Sequence, residues 1–253
     1  MLFTDPVFVG VSPAIHQKSF VYAAMDKNLS LVALAEGGLD EIVAFLAGQR
    51  TVMAAVNAPS GLNRGLAVEK KKEMFKSRKE KGSGGYRLAE SELRTRGILV
   101  RGTPSTLGAC PEWMKAGISL HRKLEKNGFV KYPADDETHQ LFETSSHAGF
   151  CVLAGEAPLS KASLEGKIQR QLLLYENGVG IKDPMDFFEE ITRHKMLKGT
   201  WPMELLYHPD QLDAMVAALT AWKVTHKPES VCQVGDVKEG IIFLPAQYLK
   251  EKY

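Results

Sequence analysis

Apolar and polar positions follow two regimes along this chain. In the first sixty or so residues the apolar runs are short, β-prone and divided by turn residues. Val7 to Val11 is the first, closed by Ser12-Pro13. Ser19 to Met25 and Ser30 to Ala35 follow, separated by Asp26-Lys27-Asn28, a composition that favours a turn. Leu39 to Leu46 switches to helical spacing and stops at Gly48. Thr51 to Val56 is an apolar run ending at Asn57-Ala58-Pro59, as in a strand buried on both faces. This β-β-β-α-β order predicts an α/β fold, with a mixed sheet covered by helices.

Helical spacing dominates the remainder. Leu66 to Lys81 reads as a charged helix, and Gly82-Ser83-Gly84-Gly85 breaks it with a flexible loop tip. Arg87 to Arg96 predicts a second helix. Pro111 to Asn127 predicts a long amphipathic one carrying Trp113, Ile118 and Leu124, with Gly128 as its stop. Gln140 to Thr144 reads as a strand, and Leu164–Glu176 and Pro184–His194 as helices. Val231–Gly235 and Gly240–Leu244, around Asp236-Val237-Lys238-Glu239, predict a closing hairpin. The expected organisation is one domain over 1–253 with a helical insertion at about 63–127.

One helix has an unusual pattern. It opens at His208-Pro209 and runs to about Trp222, with Leu212, Met215, Val216, Leu219 and Trp222 on one apolar face. Asp210 and Asp213 lie opposite, among Ala214, Ala217 and Ala221. A small-residue second face predicts burial on both sides. Two carboxylates three residues apart point the same way, and in a packed interior they repel unless a cation or donor neutralises them. Metal binding is one way to supply that charge. The other reading makes Asp210 the N-cap and Asp213 the N3 acid, stabilising the helix by about 1 kcal/mol without a metal.

Composition narrows the classes. With 44% hydrophobic residues in 253, the chain can fill a sizeable core. No run of 18 apolar residues occurs, and Met1-Leu2-Phe3-Thr4-Asp5-Pro6 lacks a basic leader, which argues against secretion and membrane spanning. Cys110, Cys151 and Cys232 are odd in number and far apart, as expected of reduced cytoplasmic thiols rather than a zinc site. The net charge of +2 is unevenly spread. Arg64 to Arg101 holds 12 Lys and Arg against 5 Asp and Glu, while the rest of the chain is mildly acidic. Such a segment suits an anionic partner such as DNA or RNA. It equally suits a solvated helix, since Glu69, Glu73 and Glu80 stand among the lysines.

Several segments together resemble the predicted nucleases catalogued as domain of unknown function 429. These are Val9-Gly10-Val11-Ser12, Ala55-Val56-Asn57-Ala58-Pro59, Arg87-Leu88-Ala89-Glu90 before Leu93-Arg94, Thr103-Pro104-Ser105 and Phe142-Glu143-Thr144. Leu164 to Gln171, Asp210 to Ala221 and Gly240 to Pro245 match as well, so the likeness covers nearly the whole chain in order. That family is placed in the ribonuclease-H-like superfamily, with RuvC-type resolvases. The resemblance implies a mixed sheet in the order 3-2-1-4-5 and a Mg or Mn site built from acids on strand one, strand four and a late helix. It maps Asp210 and Asp213 onto the late helix as metal ligands and catalytic acids. On strand one, however, Ser12 stands where the family has Asp, and on strand four Asn57 does. In a two-metal site several carboxylates clamp the ions, so two missing charges weaken the site at its centre. Glu90 and Glu143 are the matched acids that could compensate. Lys70, Lys71, Lys72 and Arg87 would grip phosphate, although Arg87 and Glu90 also suit an i,i+3 surface pair. Lys161, Lys167 and Arg170 fit either phosphate contact or a solvated face, and His147 and His208 read as structural histidines. The expectation is a nuclease-like protein with weak or lost hydrolysis. The alternative is a non-catalytic module binding nucleic acid or protein on the same fold.

Overall fold

Side chains alternate across a strand, and that period sorts the first and fourth strands of the computed structural model, which describes residues 5–14, 19–69 and 85–253. Strand β1 (Val7–Pro13) sends Val7, Val9 and Val11 into one core and Phe8 into the other. Strand β4 (Val52–Val56) does the same with Val52, Ala54 and Val56 against Met53 and Ala55. The two lie side by side in parallel, with Val11 opposite Val56. Strands β2 (Phe20–Met25) and β3 (Leu31–Gly37) complete an antiparallel meander with β1. The turn between them uses Leu29 at φ 61°.

The sheet runs β3-β2-β1-β4-β6-β8-β7, where β6 is His139–Thr144, β7 Cys232–Asp236 and β8 Gly240–Leu244. The expected 3-2-1-4 half is present, but a simple fifth edge strand is not. One edge of β6 is shared. The short β5 (Val130–Lys131) pairs with Gln140 and Leu141, while β8 pairs with Glu143 and Thr144. The terminal hairpin thus extends the sheet.

Helices cover both faces. Helix α1 (Leu39–Ala47) and α3 (Glu112–Lys126) bury Ile42, Leu46, Leu120 and Leu124 in the core of Val7, Val9 and Val11. The predicted insertion therefore contributes a helix to the main core. Helix α2 (Leu88–Thr95) packs instead on the terminal hairpin. Of the helix expected over Leu66–Lys81, residues 66–69 are helical, and Lys70, Lys71 and Lys72 lie outside the described residues.

The opposite face belongs to α7 (Pro209–His226), in which every residue from Leu212 to Ala221 is buried. Its small-residue side lies directly on β1. A Cβ at Gly10 would stand 2.0 Å from the Ala214 carbonyl oxygen and 2.3 Å from the Ala218 nitrogen. Glycine in the strand and alanines in the helix are what permit this approach. Around α7 pack α4 (Ser146–Ala154) and α5 (Leu164–Glu176), while α6 (Asp186–Lys198) follows α5. The sequence pattern did not indicate α4, because it is apolar on most sides and lacks a helical stripe. Its ends are marked, with Ser145 as N-cap and Gly155 left-handed at φ 76°.

Candidate functional site

A cleft of about 440 Å³ opens where the C-terminal ends of β1, β4 and β6 meet the N-terminus of α7. Period two decides which residues reach it. Ser12 has the parity of Phe8 and Gly10, and Asn57 that of Met53 and Ala55, so both face α7. Parallel pairing of β1 with β4 sets them side by side, and the Asn57 amide donates to Ser12 Oγ at 3.0 Å. Asn57 Oδ1 accepts from the Ser146 backbone N–H at 2.8 Å, and Ser146 Oγ donates to the Asp213 carbonyl at 2.7 Å. Strand tips, the start of α4 and α7 are joined by that chain of bonds. Ser12, Asn57, Asp210 and Asp213 all line the one cleft.

Asp210 is not a helix N-cap. His208 takes that position, its N–H donating to Gln211 Oε1 at 2.8 Å, with Pro209 and Asp210 inside the first turn. Asp213 lies beyond N3, where no free N–H is left for it to cap. Its partner is Lys161, whose Nζ stands 2.9 Å from Asp213 and 3.8 Å from Asp210. Burial raises the Asp213 pKa, against the opposing pull of Lys161. Lys161 comes from the loop before α5, and sequence reasoning offered it no more than a phosphate or a solvated face.

Arg87 occupies a different place from the one expected. It is 1% exposed and so does not present itself to a nucleic-acid backbone. Its Nε donates to Glu90 at 2.9 Å, its Nη1 to Glu143 at 2.9 Å and to the Glu239 carbonyl at 3.0 Å, and its Nη2 to Glu143. The i,i+3 pair with Glu90 exists, but in the interior rather than on the surface. Burial works against this charge, yet Glu143 and Glu90 outweigh it and hold the guanidinium more firmly protonated than usual. Glu90 also accepts from the Thr103 N–H and hydroxyl, and Glu143 from the Ser60 N–H at 2.8 Å and hydroxyl at 2.9 Å. Both acids reach the cleft, but with their lone pairs engaged.

Three further residues line it: Arg170, for which the sequence allows phosphate contact or a solvated face, Arg101 at the end of the basic segment, and His147, which reads as structural. Arg170 is buried and holds the carbonyls of Leu159 at 2.7 Å and Gly166 at 2.9 Å. Arg101 is exposed on the rim. His147 has its pKa lowered by surrounding protein and by the cations Arg170 and Lys161. Cys151 Sγ lies 3.7 Å from His147 Nε2, but burial pushes the thiol up to about 11. It therefore stays protonated and is no nucleophile. All three cysteines are free, and no described helix is long and apolar enough to cross a membrane.

These side chains do not fit a bridged pair of divalent ions. Such a pair needs several free carboxylates at its centre. Here Ser12 and Asn57 are neutral and bonded to each other, Arg87 takes Glu90 and Glu143, and Lys161 takes Asp213. Among the described residues no group of three or more His, Cys, Asp or Glu is arranged to hold a metal.

The family described as a protein of unknown function (DUF429) matches residues 16–239. The chain belongs to that family. The match includes Asn57, Asp210 and Asp213 and begins after Ser12. No curated protein and no solved structure is detectably similar to the chain.

Proposed function

We propose that the cleft is a nucleic-acid-binding site of ribonuclease-H-like descent, in a cytoplasmic protein, with hydrolysis weak or lost. The observation that carries this reading is the meeting of residues 12, 57, 210 and 213 at one cleft. Strand one, strand four and a late helix are the three sources of acids that a RuvC-like nuclease site would use. The 3-2-1-4 strand order, with an antiparallel meander beside a parallel β1–β4 pair, supports the same descent. Asp210 and Asp213 remain where Mg or Mn ligands of the ancestral phosphodiester chemistry would be. The replacement of both strand acids by a Ser–Asn pair argues that this chemistry has faded.

Retained binding draws on Lys161 and Arg101 along the cleft and on Trp113 in its wall, since an indole face can stack on a base. The basic segment Arg64–Arg101 supports the same partner by its charge.

Fluorescence anisotropy with single-stranded DNA, duplex DNA and RNA at several salt concentrations tests the proposal. Binding to at least one polymer is expected, weakening with salt, and Arg101→Ala should lower the salt slope by about 1. Absence of binding to all three at low salt overturns the reading. Rapid Mg²⁺- or Mn²⁺-dependent cleavage that Asp213→Asn abolishes overturns the claim of faded hydrolysis.

A further inference from the structure

Lys161 is held in place by its loop. On one side of it, the Leu159 carbonyl accepts from Arg170 at 2.7 Å and the Leu159 N–H donates to Gln169 at 2.8 Å. On the other, Ser163 Oγ donates to the Ser160 carbonyl at 2.9 Å while accepting from the Gly166 N–H at 3.0 Å. Loop and helix are pressed together, for a Cβ at Gly166 would lie 1.9 Å from the Ser160 carbonyl oxygen. An anchored loop fixes where its side chain starts, so less freedom is lost when the ammonium settles. The ammonium lies within 4 Å of both acids of α7, closer to Asp213. That is the region a divalent ion shared by these two carboxylates would occupy, and it would compete for the same lone pairs.

We infer that Lys161 is a built-in counter-ion that closes this place to divalent metal, and that removing its ammonium opens a Mn²⁺ or Mg²⁺ site on Asp210 and Asp213. Asp213 is nearly buried, and a carboxylate in that position retains a requirement for a cation whichever one supplies it. Ser12 and Asn57 line the same cleft with neutral side chains, so the charge there suits one hydrated ion and not two. The inference rests on the proposed cleft only in using the same two acids.

Calorimetric titration of the full chain with MnCl₂, without nucleic acid, provides the test. Wild type and Lys161→Arg should take up Mn²⁺ at Asp213 only weakly. Lys161→Met should bind it roughly tenfold or more tightly than wild type, because attraction to the unpaired acids is no longer cancelled. Its melting temperature should rise with Mn²⁺ while that of wild type does not. Adding Asp213→Asn to Lys161→Met should abolish both effects. If Lys161→Met does not fold, Lys161→Gln keeps a donor on Asp213 and serves for the same titration. Equal, Asp213-dependent Mn²⁺ binding by wild type overturns the inference, as does a folded Lys161→Met or Lys161→Gln protein that takes none. Nucleic-acid affinity measured on the same proteins separates the two proposals: its absence removes the binding reading and leaves the metal result standing.

Discussion

Two clusters, each pairing one cation with two carboxylates, share the cleft and differ in how completely they are bonded. Deep in the protein, Arg87 is enclosed by Glu90, Glu143 and the Glu239 carbonyl, and the carboxylates also accept from Ser60 and Thr103. The Glu239 carboxylate extends the network by accepting from the N–H groups of Arg64, Leu66 and Leu88. That ties both flanks of the basic segment to the terminal hairpin. At the mouth, Asp210 and Asp213 share one ammonium whose side chain is 39% exposed. The chemistry is alike and the roles are not. A buried ion pair whose carboxylate oxygens all accept from protein donors has little left to offer a ligand. A pair with one partner reaching solvent can exchange it.

The comparison is broken most severely at Arg87. Arg87→Met leaves two buried carboxylates without their cation and should cost about 3–5 kcal/mol, read by urea denaturation. A cost near zero would mean that the enclosed cluster is no more structural than the open one. Next comes Gly10→Ala, which forces α7 away from β1 and should cost about 1–3 kcal/mol. It displaces Asp213 from Ser12 and leaves Arg87 untouched, so a shift confined to the open cluster is expected in amide and side-chain NMR spectra. The smallest effect concerns pH. Burial raises the Asp213 pKa above its ordinary 3.8. Its contribution to stability is therefore full below that value and lost as pH rises through the folded-state pKa. Wild type should lose stability relative to Asp213→Asn as pH rises above 3.8 and through the raised folded-state pKa, read by denaturation at stepped pH. A difference that does not change with pH would mean that Lys161 compensates fully for burial.

Much of the architecture follows from local pattern. The apolar run Thr51–Val56 is the buried β4, Gly48 and Gly128 mark helix ends, and the hairpin around Asp236–Glu239 forms as its turn residues direct. The double burial of α7 was legible in its alanines. Helix α4 was not, since an apolar nine-residue stretch carries no period that separates inside from outside. The N-cap position was read two residues late because the side-chain bond at that end comes from Gln211 rather than from an acid.

By itself the sequence determined the alternation that aims Ser12 and Asn57 at one face, the spacing that aims Asp210 and Asp213 together, and the neutral side chains at both strand ends. These are properties of residues near one another in the chain, where backbone geometry sets direction. Only the tertiary structure decided which cations those acids meet. Lys161 approaches Asp213 from 52 residues away, and Arg87 reaches Glu143 across 56. Charge partners at such separations are chosen by packing, and no local period encodes whether a lysine or an arginine turns inward.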